Sequence, residues 1–217
     1  MKKLLYKEFK LATPLLTFLF LGFTVMTFIP GYPILCGGFF VCFGIFQSYQ
    51  SGREDNDIVY SVLLPVSKTD VVKAKYAAAV ILQMTAFILC TIWTIIRMTY
   101  LADNRVYKEN ALMGANIIFL AFVLIIFLAF NVIFVRGFFR TAYNYGKPFV
   151  VFIVTNFIII GLAETLHHIP GMEWMNTLDF NHIKRQLVIL TAAFVIYMAG
   201  TIAAFKDSQN KFEKIDL

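Results

Sequence analysis

The chain has 217 residues, 59% hydrophobic and only 15% charged, with a net charge of +6 and a mean hydropathy of +0.74. A soluble domain is nearer 45–50% apolar with about 25% charge. The composition therefore excludes an ordinary soluble enzyme, a disordered chain and a disulfide scaffold. Apolar runs of about 18–25 residues alternate with short polar breaks, the length an α-helix needs to cross roughly 30 Å of hydrocarbon. A membrane β-barrel would show weak alternating segments instead. The expected fold is an all-α membrane protein with one transmembrane domain over 1–217. Cys36, Cys42 and Cys90 lie inside apolar runs and read as small packing residues, not as a disulfide framework.

In chain order, residues 1–11 come first. Leu5, Phe9 and Ala12 share one helical face, and Lys3, Lys7 and Lys10 the opposite one. That pattern suits a helix lying in the headgroup region, although a simple basic flank to the first span would read the same way. The apolar run continues to Ile29 with no Ala-x-Ala site, so the first helix is read as uncleaved. Spans are expected at 13–29, with Pro14 in the first turn, and at 34–49, where Gly37, Gly38 and Gly44 permit close helix approach.

The polar stretch 50–75 contains its own short helix, expected over 51–65. Ser51 and Glu54 have capping-box spacing, Asp55 and Asp57 favour a helix start, and Pro65 stops it. Ile58 and Val62, and Val59 and Leu63, pair at i,i+4. Ser67 and Asp70 repeat the cap and begin the helix that becomes the third span, 76–100. Further spans are expected at 117–135, 148–166 and 186–205. The loop 167–185 holds Pro170-Gly171 and Trp174, which would allow it to dip into the membrane. Fourteen of the nineteen Lys and Arg fall in the N-terminus, the 50–75 and 136–147 loops and the tail, against five on the other side. Both termini are therefore expected in the cytoplasm.

The apolar face of the short helix needs a cover. Its acidic start would be repelled by an anionic leaflet. Its own bundle or a partner can supply that cover, and docking to a partner is favoured. Among polar residues within spans, Gln83, Asn131, Asn156 and Glu164 either line a translocation path or hydrogen-bond between helices. Ala199/Ala203 and Gly200/Ala204 allow tight packing within the chain or across a dimer. There is no P-loop, since Gly146-Lys147 is followed by Pro148. Glu164 and His167 have Glu-x-x-His spacing, with His168 adjacent and His182 further on. A di-iron bundle needs two such motifs and more carboxylates, so no metal ligands are assigned.

The run Leu64-Pro65-Val66-Ser67-Lys68-Thr69-Asp70, after an acidic short helix and before a Lys-rich helix start, resembles the permease subunit of bacterial type-2 ATP-binding-cassette (ABC) exporters. The stretch Phe212–Leu217 and Ala163–His168 look similar to permeases of phenol-soluble-modulin exporters. This resemblance implies a separate ATPase chain carrying ATP and Mg, with no cofactor on this chain and no enzymatic activity of its own. It implies a second permease subunit, identical or related, and a bacterial plasma-membrane location. Residues 54–65 would be a coupling helix seated in the ATPase. Ile58, Val62 and Leu63 would give apolar contact, Glu54 and Asp57 would pair with basic residues, and Tyr60 and Pro65 would complete the surface. Arg140 and Tyr143 would add a smaller contact. The substrate would be hydrophobic or amphipathic, a short peptide by family likeness, passing Asn131, Asn156 and Glu164. Lipid is the remaining partner; nucleic acid is not expected. The alternatives are a membrane-embedded metal-dependent hydrolase using Glu164, His167 and His168, and a non-transporting anchor.

Overall fold

The computed structural model describes residues 2–63, 65–141, 144–178 and 180–215. Those residues form helices and turns, with no strand among them. Helix α1, Lys2–Lys7, continues through a π turn to Ala12. The chain then bends by 89°. Thr13 donates its hydroxyl back to the Glu8 carbonyl (2.8 Å), and Pro14 takes the cap position of α2, Leu15–Phe20. Pro14 thus sits just before the helix, where its fixed φ and missing N–H cost nothing. Helix α2 runs on as a 3-10 helix, Leu21–Phe28.

The next elements are α3, Cys36–Glu54, and α4, Asp57–Leu63. Helix α5, Lys68–Thr99, is followed by the short α6, Arg105–Lys108. Helix α7, Ile117–Phe138, contains a π segment at Phe130–Val135. Helix α8 is Gly146–Leu166 and α9 is Ile183–Glu213. Ser67 caps α5 as its spacing predicts, accepting from the Asp70 N–H (3.1 Å).

Helices α5, α7, α8 and α9 are long and apolar enough to cross a membrane, and the bent α1–α2 pair is a fifth candidate if it counts as one span. The expected second span forms as α3, but its last turns carry Gln50, Ser51, Arg53 and Glu54 and it is not among those candidates. Helix α7 is the centre of the bundle. Its apolar window is 61% buried, against 22–33% for the other three. Phe130, Phe134 and Phe138 present an inner face to Phe46, Tyr49, Phe149 and Phe152 in edge-on pairs, with Phe46 and Phe149 stacked on each other, contacts that add to plain area burial.

Small residues set the closest approaches. A Cβ on Gly44 would lie 2.5 Å from Phe20 Cβ and 3.2 Å from the Thr17 carbonyl, and one on Gly37 would lie 2.8 Å from the Phe23 carbonyl. These two glycines, one heptad apart, let α3 lie directly on α2 and its 3-10 extension. The Thr17 hydroxyl bonds the Gly44 carbonyl across that contact (2.7 Å). Gly200 of α9 faces Leu128 of α7 and Ala204 is buried, whereas Ala199 and Ala203 point outward. The inward small pair thus serves packing within the chain.

At the C-terminal end of α5, the Arg97 guanidinium donates to the Thr27 carbonyl and lies 3.6 Å from the Tyr107 ring centroid. Tyr107 in turn donates to the Phe28 carbonyl (3.1 Å). Asn116 caps α7 and donates to the Met175 carbonyl (2.7 Å), which pins the turn around Met175 over the end of that helix.

Because Gly44 meets backbone as well as a ring, Gly44→Val forces α2 and α3 apart. The expected cost is about 1–3 kcal/mol, read as a lowered thermal midpoint in detergent, with Gly22→Ala, which has open space around it, as the neutral control.

Candidate functional site

The short helix begins later than its sequence suggests. Ser51 and Glu54 are not its cap: they close α3, with the Ser51 carbonyl accepting from the Asp55 N–H (2.9 Å). The break follows at Asn56, whose φ of +52° is a left-handed conformation that asparagine tolerates better than most residues. Helix α4 is thus 57–63, not 51–65, and the turn re-aims it relative to α3.

That re-aiming puts Asp57 and Ile58 inside. Ile58 is buried in the core, so it is not part of a free apolar face. Asp57 lies in a closed ring of four charges. Lys7 Nζ contacts Asp57 (2.5 Å) and Glu8 (3.1 Å). Lys75 Nζ contacts Glu8 and the other Asp57 oxygen, both at 2.9 Å. Lys7 also donates to Ser61 Oγ on α4 (2.7 Å). The side chains of Lys75 and Glu8 are only 4% and 6% exposed. The buried face of α1 and its π turn is therefore Leu4, Glu8 and Ala12, with Phe9 packed against the core; Ala12 and Phe9 keep to the apolar face that the wheel assigns, but Lys7 turns inward. Burial alone would raise the Asp57 carboxyl, but Lys75 and Lys7 outweigh it and hold the group below its ordinary value of 3.8.

The outward part of α4 is Tyr60 and Leu63, 65% and 80% exposed. Glu54 and Pro65 flank it and are exposed too, Glu54 accepting from Gln50 (3.3 Å). The Val62 side chain lies outside what is described, and so does Tyr143. Arg140, on the loop after α7, is exposed and lines a groove with Lys147.

The polar residues of the spans divide into two kinds. Asn131 and Gln83 exchange amide hydrogen bonds (2.9 and 3.0 Å). Thr201 accepts from Asn131 (3.1 Å) and Tyr197 donates to Gln83 (2.8 Å). These four residues tie α5, α7 and α9 together at mid-helix, all from buried positions. Asn156 is equally buried, yet neither of its amide atoms has a partner among the described residues.

At the C-terminal end of α8, Glu164 accepts from the Met113 N–H (2.7 Å) and His167 bonds the Ala111 carbonyl (3.1 Å), with the His168 ring tilted against that of His167. These contacts fasten the 109–116 loop to α8. Among the described residues no three His, Cys, Asp or Glu side chains are grouped to hold a metal.

Sequence reasoning missed the ring because it counted Lys7 and Lys75 as loop cations. The available signal was Glu8, the one acid in the basic first segment.

Lys75→Met strands two buried carboxylates, an expected loss of about 3–5 kcal/mol in thermal unfolding. The Asp57 share has a defined pH window. Its folded value is depressed, so its stabilisation is fully present above the ordinary 3.8 and is lost as pH falls through the lower folded value. The stability gap between the native chain and Asp57→Asn should stay level from neutral pH to about pH 4 and close below it.

No curated protein and no solved structure matches the chain. A family of transport proteins does match, over residues 3–211, which takes in all the helices that carry the ring, the polar clamp and the exposed end of α4. The chain belongs to the ABC-2 family of transporter proteins, multi-pass membrane components that work with an ABC ATPase subunit.

Proposed function

We propose that this chain is the membrane-spanning subunit of an ATP-driven exporter and that α4 is the element through which the ATPase acts. The observation that carries the proposal is the contrast within α4. One side is fastened to α1 and α5 by buried ion pairs, and the other offers Tyr60 and Leu63 to solvent. A helix fixed behind and apolar in front transmits a push as a rigid body. Glu54 supplies an acidic edge for basic residues of the ATPase, and Pro65 bounds the surface. Asp57 and Ile58 belong to the fastening side.

In this reading the chain has six spans, α3 being the second, shielded between α2 and α7. Both termini and α4 face the cytoplasm of a bacterial cell, a reading supported by the 14-to-5 split of Lys and Arg between the two sides. ATP and Mg are bound by the partner ATPase. A second permease copy or a related chain completes the path, with the exposed apolar face of α8 (Val150, Val154, Phe157, Leu162) available for it. The substrate is hydrophobic or amphipathic, a short peptide by family likeness. Asn156, with its unpartnered amide, is the polar residue of the interior best suited to meet it, whereas Asn131 is occupied as a clamp.

Leu63→Asp tests this directly. Leu63 is exposed, so the bundle should keep its thermal midpoint, while the co-purified ATPase is lost and transport with it. Retained ATPase and transport in that variant would remove α4 from the coupling role. A bound ATPase with no transport in the native chain would point to an anchor.

A further inference from the structure

Between the C-terminal turn of α7 and the first turns of α8 lies a groove of about 470 Å³, to which the transport reading assigns only a minor ATPase contact by Arg140. Its rim is polar: Arg140, Thr141, Asn144 and Lys147. Its floor is apolar: Ile133, Pro148 and Val151. The two walls meet because Gly137 has no side chain. A Cβ there would come within 2.8 Å of Pro148.

The electrostatics of this groove are unbalanced. Arg136, in the last turn of α7, is paired with Asp207 (2.5 Å). Among the described residues no acidic side chain lines the groove, and none pairs with Arg140 or Lys147. The first turn of α8 contains no acid either. Lys147 therefore sits at the positive end of a 21-residue helix, a place where an anion is favoured and a cation is not.

Depth completes the description. Ile133 and Val151 lie about a turn inside the ends of two candidate spans, while Arg140, Asn144 and Lys147 lie at or beyond those ends. From the floor, exposed Val151 and Val154 continue along α8 into the apolar belt. The basic rim thus stands at headgroup level and the floor at the level of the first methylenes. A soluble protein partner would gain nothing from that floor. We propose that the groove is a binding site for an anionic phospholipid, its phosphate held by Arg140, Lys147 and Asn144 and its upper acyl chain lying on Ile133, Pro148 and Val151. The site requires only that α7 and α8 span the membrane, so it stands whether or not α4 is the coupling element.

The test is native mass spectrometry of the full chain in mild detergent, titrated with phosphatidylglycerol, phosphatidylcholine and glycerol 3-phosphate. Phosphatidylglycerol should bind about tenfold more tightly than phosphatidylcholine, in keeping with two cations near a headgroup, and glycerol 3-phosphate should not be retained. Arg140→Gln/Lys147→Gln should abolish the preference. Val151→Trp, which fills the floor and keeps both cations, should also weaken phosphatidylglycerol binding. Lys206→Gln/Lys214→Gln removes the same charge from exposed positions elsewhere and should change nothing. The proposal is overturned if the first double variant retains the preference, if the control pair loses it equally, or if glycerol 3-phosphate binds as well as the lipid.

Discussion

Taking four charged side chains out of water is tolerable only if each charge meets its opposite on both sides. Lys7, Asp57, Lys75 and Glu8 satisfy that by alternating around a closed ring. The desolvation of such groups is large, so the arrangement is all-or-none: three members cannot stay buried without the fourth. The ring joins the first helix, the short helix and the third long helix at one point. Without it the 89° bend after Ala12 would leave α1 with little to hold it against the bundle. The ring fixes the pose of α4, and that pose decides which residues face outward.

Deeper in the bundle the same logic recurs with neutral groups. Gln83, Asn131, Tyr197 and Thr201 make a hydrogen-bonded knot among otherwise apolar helices. In hydrocarbon such a knot fixes helix rotation more than it adds affinity, since the competing state also finds partners. Around it the phenylalanines of α3, α7 and α8 interlock. Rings of this size allow few alternative packings, so α7 is held on all sides while α8 and α9 keep one face free.

Much of this was legible in the sequence. The apolar runs that became α5, α7, α8 and α9 announce themselves by length. Ser67 and Asp70 mark a helix start that the structure keeps. What could not be read was pairing across long separations. Nothing local tells that Lys75 needs Glu8, sixty-seven residues away, so Lys75 reads as a loop cation. The wheel for residues 1–11 puts Lys3, Lys7 and Lys10 on the outer face, because amphipathicity assumes that charge seeks water. The acidic run at 54–57 looked like a helix start because acids favour that end, yet Asn56 in its middle supplies a left-handed turn that breaks the run. Site residues followed the same pattern. Tyr60 and Leu63 stayed on the outer face, and Asp57 and Ile58 went to the inner one.

The 3-10 stretch Leu21–Phe28 has a consequence of length. A 3-10 helix rises about 2.0 Å per residue and an α-helix about 1.5 Å. Eight residues in this form therefore reach about 16 Å, a distance for which an α-helix needs about eleven. The segment between the Pro14 bend and the Pro30 turn is thus drawn out to match its taller neighbours. Its stretched backbone is held in place by the Thr24 and Thr27 hydroxyls bonded three residues back and by Arg97 at the far end. Rewinding those eight residues into α-helix would shorten the segment by about 4 Å, drawing the turn at residues 30–33 toward the middle of the bundle while the end at the Pro14 bend stayed moored.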